Sequence, residues 1–116
     1  MRKSEIKLSI NLDTQNVPSE IQWEATDNPQ GGVQKTKAFA LAIWEEETGS
    51  VLKIDLWDRN MMVGEMKAFM IQTIGGIGDT LMNATGDKVM KEAIDTLCAK
   101  LSQHVIAEEE AARAKQ

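Results

Sequence analysis

Between Lys3 and Asp13 the apolar residues fall at Ile6, Leu8, Ile10 and Leu12, alternating with Glu5, Lys7, Ser9 and Asn11. Period two marks a strand with one buried face. Asp13 to Pro18 reads as a turn, because Pro18 cannot donate to a ladder. Ile21, Trp23 and Ala25 then alternate with Gln22, Glu24 and Thr26, predicting a second strand. The breaker cluster Asp27-Asn28-Pro29-Gln30-Gly31-Gly32 predicts a loop. The run from Ala38 to Trp44 holds good helix formers, yet Phe39, Leu41 and Ile43 alternate with alanines and the run is short for a helix. It reads as the first arm of a β-hairpin, with Glu45-Glu46-Glu47 at a solvated tip and Val51 to Asp58 as the second arm.

After Asn60 the period changes. Met66, Met70, Ile74, Ile77 and Leu81 are spaced four, four, three and four apart, one stripe of a helix. Gly86 suits a helix stop and Asp87 a following N-cap. Met90, Ile94, Leu97 and Leu101 form the stripe of a second helix, whose acidic and alanine-rich tail loses the stripe and is expected to fray. The expected elements are strands at about 3–13, 20–27, 36–45 and 50–58, and helices at about 62–84 and 87–110. Strands followed by helices, without βαβ alternation, predict an α+β fold: a four-stranded antiparallel sheet, then two antiparallel helices packed on one face. Residues 1–116 are expected to form a single domain.

Composition narrows the function classes. The 13 basic and 18 acidic residues give a net charge of −5, against a nucleic-acid partner, since phosphate tracking needs a basic face. No apolar run approaches a membrane span, and no apolar segment near the start resembles a leader. A cytoplasmic protein without membrane insertion is expected.

The residues that carry chemistry are few. The single cysteine, Cys98, and the single histidine, His104, stand six apart and point to different sides of one helix. They cannot act as a nucleophile–base pair, nor build a zinc site. Cys98 reads as a small buried hydrophobe and His104 as a rim residue. Gly75-Gly76-Ile77-Gly78 lacks the Lys-Ser/Thr of a phosphate loop and follows a helix, not a strand. Glycines inside a helix predict a kink or a close contact with the sheet. Asp55, Asp58 and Asp79 are the only candidates for a carboxylate site, and their spacing does not bring them together. The expectation is no catalytic residue, no metal, no cofactor and no enzymatic activity.

The hairpin is more informative. With Phe39, Leu41, Ile43, Leu52, Ile54 and Leu56 inward, Ala38, Ala40, Ala42 and Trp44 share the outer face with Val51, Asp55 and Trp57. That is a smooth, half-apolar patch with a tryptophan near each end. Such patches mark partner surfaces, and tryptophan is enriched at binding hot spots. Trp44, Trp57, Ala40, Ala42 and Val51 are therefore the candidate interaction residues, and a homo-oligomer contact is the simplest use of them. Six of the seven methionines, from Met61 to Met90, gather on and around the helices; they suit core filling or a groove that re-packs around varied partners.

Leu52-Lys53-Ile54-Asp55-Leu56-Trp57, Glu65-Met66-Lys67, Gln72-Thr73, Asp79-Thr80 and Ala84-Thr85-Gly86-Asp87 occur in an order that resembles the gliding motility-associated protein C (GldC) family. Lys3-Ser4-Glu5-Ile6, Val17-Pro18, Trp23 and Lys35-Thr36-Lys37-Ala38 extend the likeness over most of the chain. Ile74 to Gly78 and the acidic tail depart from the pattern, as in a divergent member. The resemblance implies a small soluble accessory protein that assists gliding and the linked secretion system, binding a protein partner of that machinery, with no enzymatic residues to carry across. By layout alone the chain is also similar to SecB-type export chaperones, which gives the alternative of a holdase for unfolded clients.

Overall fold

A computed structural model describes residues 1–115. It divides into two compact units, Met1–Met61 and the segment from Met62 onward. The first holds all the strands: β1 (Ile6–Leu12), β2 (Pro18–Ala25), β3 (Gln34–Thr36), β4 (Ala38–Glu45) and β5 (Ser50–Trp57). The second holds α1 (Val63–Thr85) and α2 (Lys88–Ala114).

The α+β class and the antiparallel pairing agree with the sequence pattern, but the single four-stranded sheet does not form. The strands make a three-stranded sheet of order β1-β2-β3 and a separate ribbon, β4-β5. The stretch expected as one strand at 36–45 changes partner at Lys37. Thr36 pairs with Ile21 of β2, whereas Ala38 pairs with Trp57 of β5. The Lys37 carbonyl accepts the Asp58 N–H at 2.8 Å, and the Thr36 hydroxyl donates to the Ala38 carbonyl at 3.0 Å. Local bonding thus bends the chain out of the first sheet, and the three residues of β3 before the bend form a strand that the alternation alone does not reveal.

The β1–β2 turn is organised by Asp13. Its Oδ1 accepts the N–H groups of Gln15 and Val17 at 2.8 and 3.0 Å, and Arg59 Nη1 reaches Oδ2 at 3.3 Å. The N–H donors of Val17 and Gln15, helped by the Arg59 charge, hold this carboxyl below its ordinary range. Asp27 is lowered likewise, by bonds from Arg2 and Ser4. Folding therefore favours the ionised forms. Their stabilisation is complete above the unfolded value, about 3.9, and is lost as pH falls through the folded one. Titration below about pH 4 is expected to loosen the β1–β2 turn, followed by the fluorescence of Trp23; Asp13→Asn should blunt that acid response.

Ile21 is fully buried, the one large side chain of the strand unit to be so among the described residues. It lies centrally in β2, opposite both Ile10 and Thr36.

In the helical unit, α1 ends at Gly86, whose φ of 71° is left-handed and whose N–H bonds to Met82 O at 2.8 Å. Asp87 then caps α2, its Oδ1 accepting the Met90 N–H at 3.0 Å. Both match the signals in the sequence. Asp87→Ala should destabilise this unit by about 1 kcal/mol, measurable as a shift in the urea midpoint. At the start of α1 the Glu65 carboxylate accepts the Met62 N–H at 3.1 Å.

The glycine run does not kink α1, which is continuous from Val63 to Thr85. Within the helical unit the close approach is made to α2. Gly78 is buried, and a Cβ placed on it would lie 2.9 Å from Ile94 Cγ2. A Cβ on Gly75 would sit 3.9 Å from Cys98 Sγ, and that thiol points to the Ile71 carbonyl at 3.8 Å. Ion pairs flank the seam: Lys67–Glu108 at 2.7 Å and Lys91–Asp79 at 3.5 Å. Nor does α2 stop at about 110 to leave a frayed tail; it continues to Ala114, since alanine and glutamate are strong helix formers without packing.

Candidate interaction surface

The β4–β5 register places the candidate residues as the alternation requires. Ala38 pairs with Trp57, Ala40 with Asp55, Ala42 with Lys53, and Trp44 with Val51. Directly paired residues of an antiparallel ribbon share a face, so all of these line one side. The alanines leave a low floor between the tryptophans at its ends. Trp44 is 66% exposed and Trp57 53%, and Ala40, Ala42 and Val51 are exposed as well. Gly49, at a φ of 65°, closes the tip of the hairpin by donating to the Glu45 carbonyl at 2.9 Å, beside the Trp44 ring.

The opposite face departs from expectation. Phe39 and Leu56 are half-buried, but Leu41, Ile43, Leu52 and Ile54, which the pattern sends to a core, are exposed. The strand unit covers the ribbon only in part, near Ala38, Phe39, Asp55 and Leu56. A two-stranded ribbon is marginal in water, and its exposed tip, from Leu41 to Ile54, is available for partners.

Between α1 and α2 runs a second, apolar hollow of about 260 Å³ lined by Met66, Met70, Ile71, Leu101 and Val105 with Lys67 and His104 at its rim. His104 is a rim residue, as the sequence indicates, with Nε2 3.3 Å from Glu108. Lys67, donating to Glu108, is the main cause of a lowered Glu108 carboxyl. The predicted stripes do not lie squarely in the helix–helix seam. Seam residue Gly78 is rotated about 100° from Ile77, and Ile77 is 57% and Met90 49% exposed. Of the stripe residues Ile94 meets Gly78 in the seam, whereas Met66, Met70 and Leu101 line the groove beside it.

Each of the three carboxylates considered for catalysis has contacts within its own unit. Asp58 is buried and accepts the Asn60 N–H at 2.9 Å. Asp55 pairs through Oδ2 with Lys53 at 2.9 Å, while its Oδ1 is shielded and accepts no hydrogen bond. Asp79 belongs to the helical unit and faces Lys91. Asp58 also borders a polar hollow of about 540 Å³ with Glu20, Lys35 and Lys37, a site without a motif in the sequence because its residues come from three segments. Among the described residues no group of three or more His, Cys, Asp or Glu side chains is placed to hold a metal, and no helix is long and apolar enough to cross a membrane.

No curated protein and no solved structure matches the chain. One family does: its description, gliding motility-associated protein GldC-like, matches residues 18–107. That span runs from the first residue of β2 to deep within α2, and so includes the whole Trp44/Trp57 ribbon and the helix–helix groove. The chain therefore belongs to the GldC-like family of gliding motility-associated proteins.

Proposed function

We infer that this GldC-like protein is a non-enzymatic, cytoplasmic accessory factor that works by binding another protein, a component of the gliding or linked secretion machinery. The observation that carries this reading is the alanine-floored face of the β4–β5 ribbon, with Trp44 and Trp57 exposed at its ends. Large exposed aromatics beside small residues are the ingredients of an interface hot spot. The family assignment supplies the physiological setting.

Affinity capture at native expression level tests it, comparing the parent protein with a Trp44→Ala, Trp57→Ala variant. One or two stoichiometric partners held by the parent and lost by the folded variant are expected. Equal capture by both would assign binding to another surface. A second reading, a SecB-type holdase, draws on the open, methionine-walled groove between the helices, because methionine adapts to varied apolar clients. It requires stoichiometric suppression of the aggregation of an unrelated unfolded protein; an absence of suppression removes it.

A further inference from the structure

We propose that β5 is the dimerisation edge of this protein, pairing antiparallel with β5 of a second copy about a two-fold axis at Ile54. This extends the homo-oligomeric part of the sequence reading, but it rests on the strand edge and its charges, not on the tryptophan face. β4 and β5 form a two-stranded sheet, so the outer edge of β5 pairs with no strand among the described residues; just past its end, the Arg59 N–H bonds to the Pro18 carbonyl at 3.2 Å. Its backbone groups are a template for another strand.

The order of residues along that edge is self-complementary. Two-fold pairing centred on Ile54 sets Lys53 of each copy opposite Asp55 of the other. On the same face, Val51 of each copy meets Trp57 of the other. Leu52 meets Leu56 on the reverse face, and Ile54 meets itself. Every pair is apolar with apolar or cation with anion, as an isologous contact requires. A lone lysine in an edge strand blunts it against association; here its counter-charge stands at the mirror position. Within one chain Lys53 and Asp55 already lie 2.9 Å apart on one face, so two copies would join them into an alternating charge quartet flanked by Ala40 and Ala42.

The consequences for packing follow from the observed β4–β5 register. Two marginal ribbons become one four-stranded sheet. Its reverse face is apolar from Phe39 to Ile43 and from Leu52 to Leu56, with the Glu45–Ser50 pair at its outer ends, and is centred on the row Leu41, Ile54, Ile54, Leu41. Its outer face carries Trp44 of one copy and Trp57 of the other in the same cross-strand row, separated only by Val51.

Charge exchange tests the pairing. Lys53→Asp and Asp55→Lys each set like charges opposite one another twice per dimer. Each is expected to weaken self-association about 10- to 100-fold in sedimentation equilibrium. Mixing the two variants should restore a one-to-one heterodimer, since the two carboxylates of one strand then face the two ammonium groups of the other. The doubly exchanged Lys53→Asp, Asp55→Lys chain should dimerise like the parent. A monomeric parent, single variants that still dimerise, or a mixture that stays monomeric would each overturn the proposal. If a single variant fails to fold by circular dichroism, the doubly exchanged chain decides: a folded monomer overturns the pairing and a dimer upholds it. Both tryptophans stay in place in every variant, so loss of the dimer with retained partner capture separates this proposal from the tryptophan-face reading.

Discussion

Changing Trp44 and Trp57 together to alanine is expected to weaken partner capture by at least roughly a hundredfold, with little loss of folding stability. A hot-spot tryptophan contributes about 2 kcal/mol or more, or roughly 30-fold in affinity per residue. Both rings lie on one face of the ribbon, in pairs at opposite ends. The cost to the fold is small because both are more than half exposed, so most of their apolar area is in contact with water in the free chain. Titration of the captured partner against each variant gives the affinity, and thermal unfolding supplies the control. Loss of binding with an unchanged melting curve is the expected combination. Single variants should each show a part of the loss, since Ala40 and Ala42 alone offer little area to anchor a partner.

The second large effect concerns the helix pair. Gly78→Leu should destabilise the helical unit by about 2 kcal/mol, because even its Cβ would lie 2.9 Å from Ile94 Cγ2 and 3.4 Å from Ile94 Cβ. Isoleucine is branched at that carbon and cannot swing aside as the end of a lysine chain would. The helix must move away from its neighbour and loosen the Lys91–Asp79 and Lys67–Glu108 pairs at either side. Gly76→Ala is the matching opposite. A Cβ there meets nothing within 4 Å, so the better helix propensity of alanine is gained without a clash, up to about 1 kcal/mol. Gly75→Ala, with Cys98 Sγ at 3.9 Å in ordinary contact, should behave like Gly76→Ala. Urea unfolding followed by far-ultraviolet circular dichroism ranks the three. A Gly78→Leu protein as stable as the parent would mean that the helices do not approach at this glycine.

These two sites differ in how far they could be read from the chain itself. The ribbon face was legible because strand alternation has a fixed period: once Phe39 and Leu56 share a side, Ala40, Ala42, Trp44 and Val51 must share the other. The exposure of Leu41, Ile43, Leu52 and Ile54 was not, since alternation says which residues share a face but not whether anything covers it. In the helices the stripes were correctly assigned to α1 and α2. The rotation of α1 was not, because glycine and cysteine carry little weight in an apolar pattern, yet Gly75 and Gly78 meet Cys98 and the stripe residue Ile94 in the seam. A small residue lets a neighbouring helix approach closely, and Gly78 does so by receiving the Ile94 side chain.

What the sequence determines alone is what neighbouring residues decide among themselves. The period-two strands, the Asp13 turn, the left-handed stop at Gly86 and the Asp87 cap each depend on groups within a few residues of one another. Partner choice is different. Thr36 joins Ile21 while Ala38 joins Trp57, so two residues almost adjacent in the chain are claimed by segments far from them in opposite directions. Only the folded chain weighs those long-range pairings against each other, which is why the division into a three-stranded sheet and a free ribbon, and with it the open β5 edge, belongs to the tertiary structure.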